Sequence, residues 1–332
     1  FGLERTRVRE IVESADLIVN VSGSLHDPRA YAGRGVLALI DSDPVFTQVK
    51  LARGQQDFQA FVDAHDVHFT FGETLPEEFS SNGRTWRPTR QPVVLSEWQP
   101  TAVTRDVFTT VMNWTSYKPV TFAGRTFGQK DVELERFVDL PRAVAPTTLE
   151  LAVNDGKTRR TPRSLLEHRG WALAHPDVVC PDMETYRDYV RTSKAEWSVA
   201  KNGYVVGRSG WFSCRSACYL AAGRPVVTQD TGFSEVLPVG EGILAFETLE
   251  ALRRAVRALG RGVVHGTEDH PVGALQLGLD RLGERMDGDA DAESLVRDRA
   301  NVLDRKRRRR ALDGVRADGQ RDVHTVVDDQ ES

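Results

Sequence analysis

Cysteine, membrane-length apolar runs and an excess of charge of either sign are what this sequence has little of. Three cysteines (Cys180, Cys214 and Cys218) in 332 residues are too few, and too odd in number, for a disulfide framework, and they favour a reducing cytoplasm. No apolar run approaches the roughly 20 residues of a membrane span, so no transmembrane segment is expected. Forty-four Lys and Arg stand against 48 Asp and Glu, for a net charge of −4, which gives no global basic signal for nucleic acid. Cys214 and Cys218 share one helix face, but no third or fourth soft ligand is near, so they read as packing residues rather than a metal site. No signal peptide is visible. The first residue is Phe1 in what reads as a helix, so the expectation is a first domain that is N-terminally truncated.

What is present is alternation. Residues 3–14 make an amphipathic helix with Leu3, Val8, Ile11 and Val12 among charges. Residues 16–21 and 35–40 are short apolar strands ending in Ser22-Gly23-Ser24 and Asp41-Ser42-Asp43-Pro44, and 67–71 is a third after a helix over 58–64. Nearly continuous apolar strands alternating with helices predict parallel sheets covered on both faces. Residues 76–97 read mainly as loop, with Val93-Val94-Leu95 as one further short strand, and polar 96–106 reads as a linker. Strands are then expected at 107–113, 148–153, 171–174, 195–199, 226–227 and 242–246, and helices at 131–138, 163–169, 183–193, 214–222 and 248–259. That order predicts an α/β chain of two Rossmann-like doubly wound domains, over 1–100 and 107–260. Beyond 260 the alternation fades. A weak helix at 275–286 and a basic run at 305–310 belong to a charged tail over 261–332, read as solvated or disordered rather than as a nucleic-acid or targeting element.

Chemistry concentrates on loops at strand ends. Asp41 and Asp43 can be read three ways: as a pair addressing a divalent ion, as an acidic turn capping the next helix, or as a substrate-hydroxyl contact or base. His26, after the first strand, is a candidate base, and so are His65 and His68 beside Asp66. Around the stretch 195–233 the signals converge. Ser213 is placed to cap a helix closed by Gly223, and Asp230-Thr231-Gly232 leaves the next strand on the edge where an open parallel sheet binds ligands. A helix N-terminus presents free N–H groups and a partial positive charge suited to phosphate. Ser209-Gly210 lets a backbone approach closely, Ser213 and Arg215 add a hydroxyl and a guanidinium, and Lys201 and Lys118 are cations at strand ends. Trp211 and Phe212 can stack on a base or sugar, or pack beneath the sheet edge.

The run from Arg215 through Ala217, Ala221 and Gly223 to Pro225-Val226-Val227 resembles the signature of GT-B glycosyltransferases, in particular the retaining group with a family-four-like C-terminal domain. Asp230–Glu235 is similar to the Gly-x-x-Glu loop that follows it there, and Gly240–Phe246 to the strand after that. The resemblance covers residues 107–260. It implies a GT-B-like fold and a hexosyltransferase-like transfer of sugar from a nucleotide-sugar donor to an acceptor hydroxyl in an interdomain cleft, without a required metal or other cofactor. Lys118, Lys201, Ser209, Gly210, Trp211, Ser213, Arg215, Asp230, Thr231 and Gly232 would hold the donor, with His26 and Asp43 as catalytic candidates. Cys218 and Gly210 stand where the family commonly has two glutamates that contact the donor. The alternatives are a sugar-nucleotide epimerase of the same fold and a non-catalytic sugar-nucleotide-binding protein.

Overall fold

The computed structural model describes residues 2–31, 35–80, 83–156 and 159–260. The expected helix at 275–286 and the basic run at 305–310 lie outside them. The chain folds as two parallel β-sheets flanked by helices, in the Rossmann-like, doubly wound arrangement expected.

The first sheet contains β1 (Leu17–Val21), β2 (Val36–Asp41), β3 (Val67–Thr70) and β4 (Trp86–Pro88), paired in that order and all parallel. The Phe46–Ala52 and Gln56–Asp63 helices form the crossover from β2 to β3. β4 lies where the sequence reads as loop. It is three residues long with a single aromatic, Trp86, whose ring packs 5.3 Å from His68, so it carries no alternation to detect. Residues 93–95 form no strand. Leu95–Trp98 is instead a 3-10 turn that places Trp98, 6% exposed, in the core beneath the second sheet.

The second half begins with β5 (Arg105–Asn113) and a hairpin of β6 (Val120–Phe122) and β7 (Arg125–Phe127). It continues through β8 (Thr148–Asn154), β9 (Ala172–Ala174), β10 (Ser193–Ser198), β11 (Val226–Gln229) and β12 (Ile243–Phe246). The sheet order is β12-β11-β10-β5-β8-β9, all parallel. The chain winds outward from β5 to β9, crosses back to β10 and winds the other way, so the order reverses between β5 and β10. Apolar residues on both sheet faces form the core, with Phe108, Leu151, Trp197 and Val227 fully buried and the Trp171 and Trp197 rings 4.7 Å apart.

A third core joins the halves. Val45, Phe46, Val49 and Phe79 of the first half pack with Phe127, Ala200 and Tyr204 of the second. The Asn202–Val206 helix belongs to this seam. The sequence reads it as a loop, because Lys201-Asn202-Gly203 resembles a strand terminator. Its glycine is there for clearance: a Cβ on Gly203 would lie 2.4 Å from the Phe46 ring, and one on Gly207 would lie 2.5 Å from Val45.

Candidate functional site

Ligands of open α/β sheets sit outside the carboxyl ends of the strands, where the strand order reverses. Here that point is between Asn113, at the end of β5, and Lys201, just beyond β10. A cleft of about 390 Å³ opens there, lined by Asn113, Gln129, Lys130, Lys201, Trp211 and Cys214 from the second half and by Ser22, Ser42 and Phe71 from the first.

Three cations define its electrostatics, and two are already neutralised. Arg215 Nε donates to Glu196 Oε1 at 2.5 Å and its Nη1 to the Val111 carbonyl at 2.8 Å, with Glu196 wholly buried. Its guanidinium is therefore anchored in the sheet rather than free for a donor. Lys201 bonds Asp43 Oδ1 at 2.8 Å and the Tyr117 hydroxyl at 3.0 Å, and lies over the rings of Tyr117, Tyr204 and Phe46 at 4.7, 5.2 and 5.4 Å. Lys130, half-buried at the start of the Lys130–Glu135 helix, has no ion pair or hydrogen bond among the described residues. Burial holds its ammonium pKa well below the ordinary value, and the positive charges of Arg215 and Lys201 push it further down. Beside it, Gln129 is 2% exposed and its Nε2 makes no hydrogen bond of ordinary geometry, although the Tyr117 hydroxyl is close. Lys130, which lines the cleft, is therefore open to an incoming acceptor of hydrogen bonds.

Asp43 is the centre of the other wall. The Tyr117 and Tyr204 hydroxyls both donate to it, and with Lys201 they make three donors on one carboxylate. Burial raises the pKa of both phenols, and the Asp43 charge raises it further, so they stay protonated as donors. Asp43 and His26, distant in sequence, line one cavity of about 360 Å³ over the ends of β1 and β2. Of the three readings of the Asp41/Asp43 loop, the structure favours a structural turn for Asp41. Asp41 Oδ1 accepts from the Asp43 N–H and Thr47, and Oδ2 from Gln48 and Thr70, at 2.7–3.1 Å. No group of three or more His, Cys, Asp or Glu is placed for a metal among the described residues. His65 and His68 are structural. His65 bonds Asn20 and the Phe61 carbonyl, His68 bonds the Val62 carbonyl, and burial lowers the pKa of both.

Several residues expected at the donor site make contacts within the fold, some of them across the seam. The Ser209 carbonyl accepts from Thr74 N–H at 3.2 Å. A Cβ on Gly210 would lie 2.6 Å from Thr74 N, and one on Gly232 2.9 Å from Thr74 Oγ1. Both glycines have positive φ, +71° and +99°, a second reason for glycine there. Thr231 Oγ1 donates to the Trp211 carbonyl at 2.6 Å, and Asp230 accepts from Gly232 N–H and the Ser234 hydroxyl. Ser213 holds the N-cap position of the Cys214–Ala221 helix, but its hydroxyl makes no capping bond. Trp211 lines the cleft with its ring 4.6 Å from that of Tyr204, while Phe212 packs on Phe233. Lys118 is exposed; its neighbour Tyr117 is the one that enters the site. Lys130, Tyr117 and Tyr204 are the residues that sequence reasoning missed. The signal available for Lys130 is a cation that opens a charged helix two residues after Gly128.

No family model matches the sequence, and neither does any curated protein. Among solved structures, the chain is similar to the crystal structure of a GtfA/B complex, with 13% identity and a TM-score of 0.44 over 88% of this chain and 60% of that one. It is similar to an alpha-glucosyltransferase (AGT) in complex with UDP, at 10% and 0.48, over 77% and 75%. A Glycosylation Associate Protein (Gap123) complex from Streptococcus agalactiae gives 9% and 0.45, over 90% and 56%. The chain spans less than two thirds of the first and third of these. Likenesses this distant transfer no residue and no ligand. No helix among the described residues is long and apolar enough to cross a membrane.

Proposed function

We infer that the chain is a glycosyltransferase that binds a nucleoside-diphosphate sugar in the cleft and transfers the sugar to an acceptor hydroxyl. The observation that carries this reading is Lys130: a half-buried lysine that lines the cleft at the reversal point of the second sheet and has no ion pair or hydrogen bond among the described residues. A diphosphate is the ligand that would satisfy Lys130 and the first turn of the Cys214–Ala221 helix together. Trp211 offers a face for the base. In transfer, the acceptor oxygen forms a bond to the anomeric carbon. The bond from that carbon to the diphosphate breaks, its electron pair leaves with the nucleoside diphosphate, and the hydroxyl proton passes to Asp43 or His26. Cations beside the departing phosphate lower the barrier by stabilising charge as it develops. Three unpaired cysteines suit a reducing compartment, where the chain would act.

The test is calorimetric titration of the full chain with UDP and GDP. Binding is expected for one of them, weakened roughly ten- to a hundredfold in Lys130→Met by loss of a charge-assisted bond. No binding of either would sink the reading. One observation favours a second reading, a nucleotide binder without transfer: the Asp43 carboxylate is already occupied by three donors, Tyr117, Tyr204 and Lys201. Release of nucleoside diphosphate that depends on an added acceptor separates the two.

A further inference from the structure

Three cavities lie in series along the first half, neighbouring ones sharing lining residues. The cleft shares Ser22 and Ser42 with the cavity that holds His26 and Asp43. That cavity shares Phe58 and Phe61 with a third, of about 660 Å³, along the Gln56–Asp63 helix. Each is of a size that takes a drug-sized ligand, so in series they exceed what one monosaccharide fills. The passage is polar where it leaves the cleft, with the Ser22 and Ser42 hydroxyls bonded at 2.5 Å. It becomes aromatic further out. Phe58 and Phe61, three residues apart and so on one helix face, have ring centroids 6.1 Å apart and planes within 15° of parallel. Exposed Gln55, Gln56 and Asp57 form the rim.

Aromatic rings framed by amides and hydroxyls match the chemistry of a sugar chain, in which each pyranose offers C–H groups on one face and hydroxyls around its edge. An acyl chain would leave the polar rim without partners. A polyanion would meet Asp43 and Asp57, while Lys50 lies over the Phe58 ring at 5.0 Å. The geometry points to an extended, neutral glycan as the acceptor, its reactive end beside Asp43 and its preceding sugars laid over Phe58 and Phe61. This assignment rests on the transfer reading above, yet its residues are distinct from Lys130 and Trp211, so the two can fail separately.

Saturation-transfer NMR and calorimetry on the full chain would use glucose, maltose, maltoheptaose, cellobiose, cellohexaose, dodecyl maltoside and a heparin hexasaccharide. At least one of the two long neutral glycans is expected to bind about tenfold more tightly than its own disaccharide, about one decade in Kd. Phe58→Leu and Phe61→Leu keep the packing on Leu39, Leu51 and Val62 but remove the flat face. Each should lose roughly fivefold of that affinity with UDP binding unchanged. Equal or tighter binding of dodecyl maltoside or heparin overturns the assignment, as does failure of both long neutral glycans to bind or leucine variants that bind like the parent. Length-dependent glycan binding without UDP binding supports the groove and sinks the transfer reading alone.

Discussion

On its inner flank the first half buries Val45, Phe46 and Phe79 to within 1% exposure against Tyr204 and Phe127, while on its outer flank β1 leaves Leu17, Val19 and Val21 at 45–56% exposed. Both flanks are built from the same branched and aromatic residue types, and both read as ordinary core in the sequence. The difference lies in what meets them. The inner flank meets glycines, Gly203 and Gly207, that let Phe46 and Val45 come close enough to seal. The seal also fixes chemistry, because Asp43 is two residues from Val45 and reaches Lys201 and Tyr204 across the seam. The outer flank makes no comparable contact among the described residues.

The largest test of this contrast is Phe46→Ala, expected to cost about 3–5 kcal/mol as a cavity in a shared core, read as the shift in urea midpoint. A loss under about 1 kcal/mol would mean that the seam is only loosely packed. Gly203→Ala should follow at about 1–3 kcal/mol from overpacking against the Phe46 ring, and a neutral result would show that Phe46 moves freely. A third test is set by pH on the outer side, where His65 braces Asn20 of β1. His65 and His68 have pKa values lowered by burial, so below the unfolded value near 6.5 the unfolded chain binds more protons. Stability is therefore full above about pH 6.5 and falls as pH drops through the lower folded values. Denaturant midpoints at several pH values should show that slope in the parent and a shallower one in His65→Gln. The smallest effect is expected of Val19→Lys on the open face, within about 0.5 kcal/mol; a large loss would show that this face is covered after all.

Strand and helix positions were legible because burial on both faces of a parallel sheet leaves short continuous apolar runs, as in β2, β5 and β11. β4 and the Asn202–Val206 helix were not, since each owes its form to a tertiary neighbour: Trp86 to His68, and Gly203 to Phe46. The site divides in the same way. Lys201, Asp43, His26 and Trp211 stand out in the sequence because strand-end loops gather polar residues, and the structure places them around the cleft and the cavity next to it. Gly210, Gly232 and Ser209 read as donor contacts because a loop that admits a ligand and one that admits another loop need the same small residues. What distinguishes them is Thr74, more than 130 residues upstream of Gly210, and no local pattern in the sequence can supply it.

The seam also has a history within each molecule's synthesis. Phe46 leaves the ribosome long before Tyr204, its ring partner at 5.8 Å. At roughly 5–20 residues per second that interval is on the order of ten to thirty seconds. Throughout it, Val45, Phe46 and Phe79 have no core to join, and the Asp43 loop has nothing to hold it. The nascent first half thus carries an uncovered apolar flank until the second half emerges. The polar machinery of the cleft is among the last features of the molecule to exist.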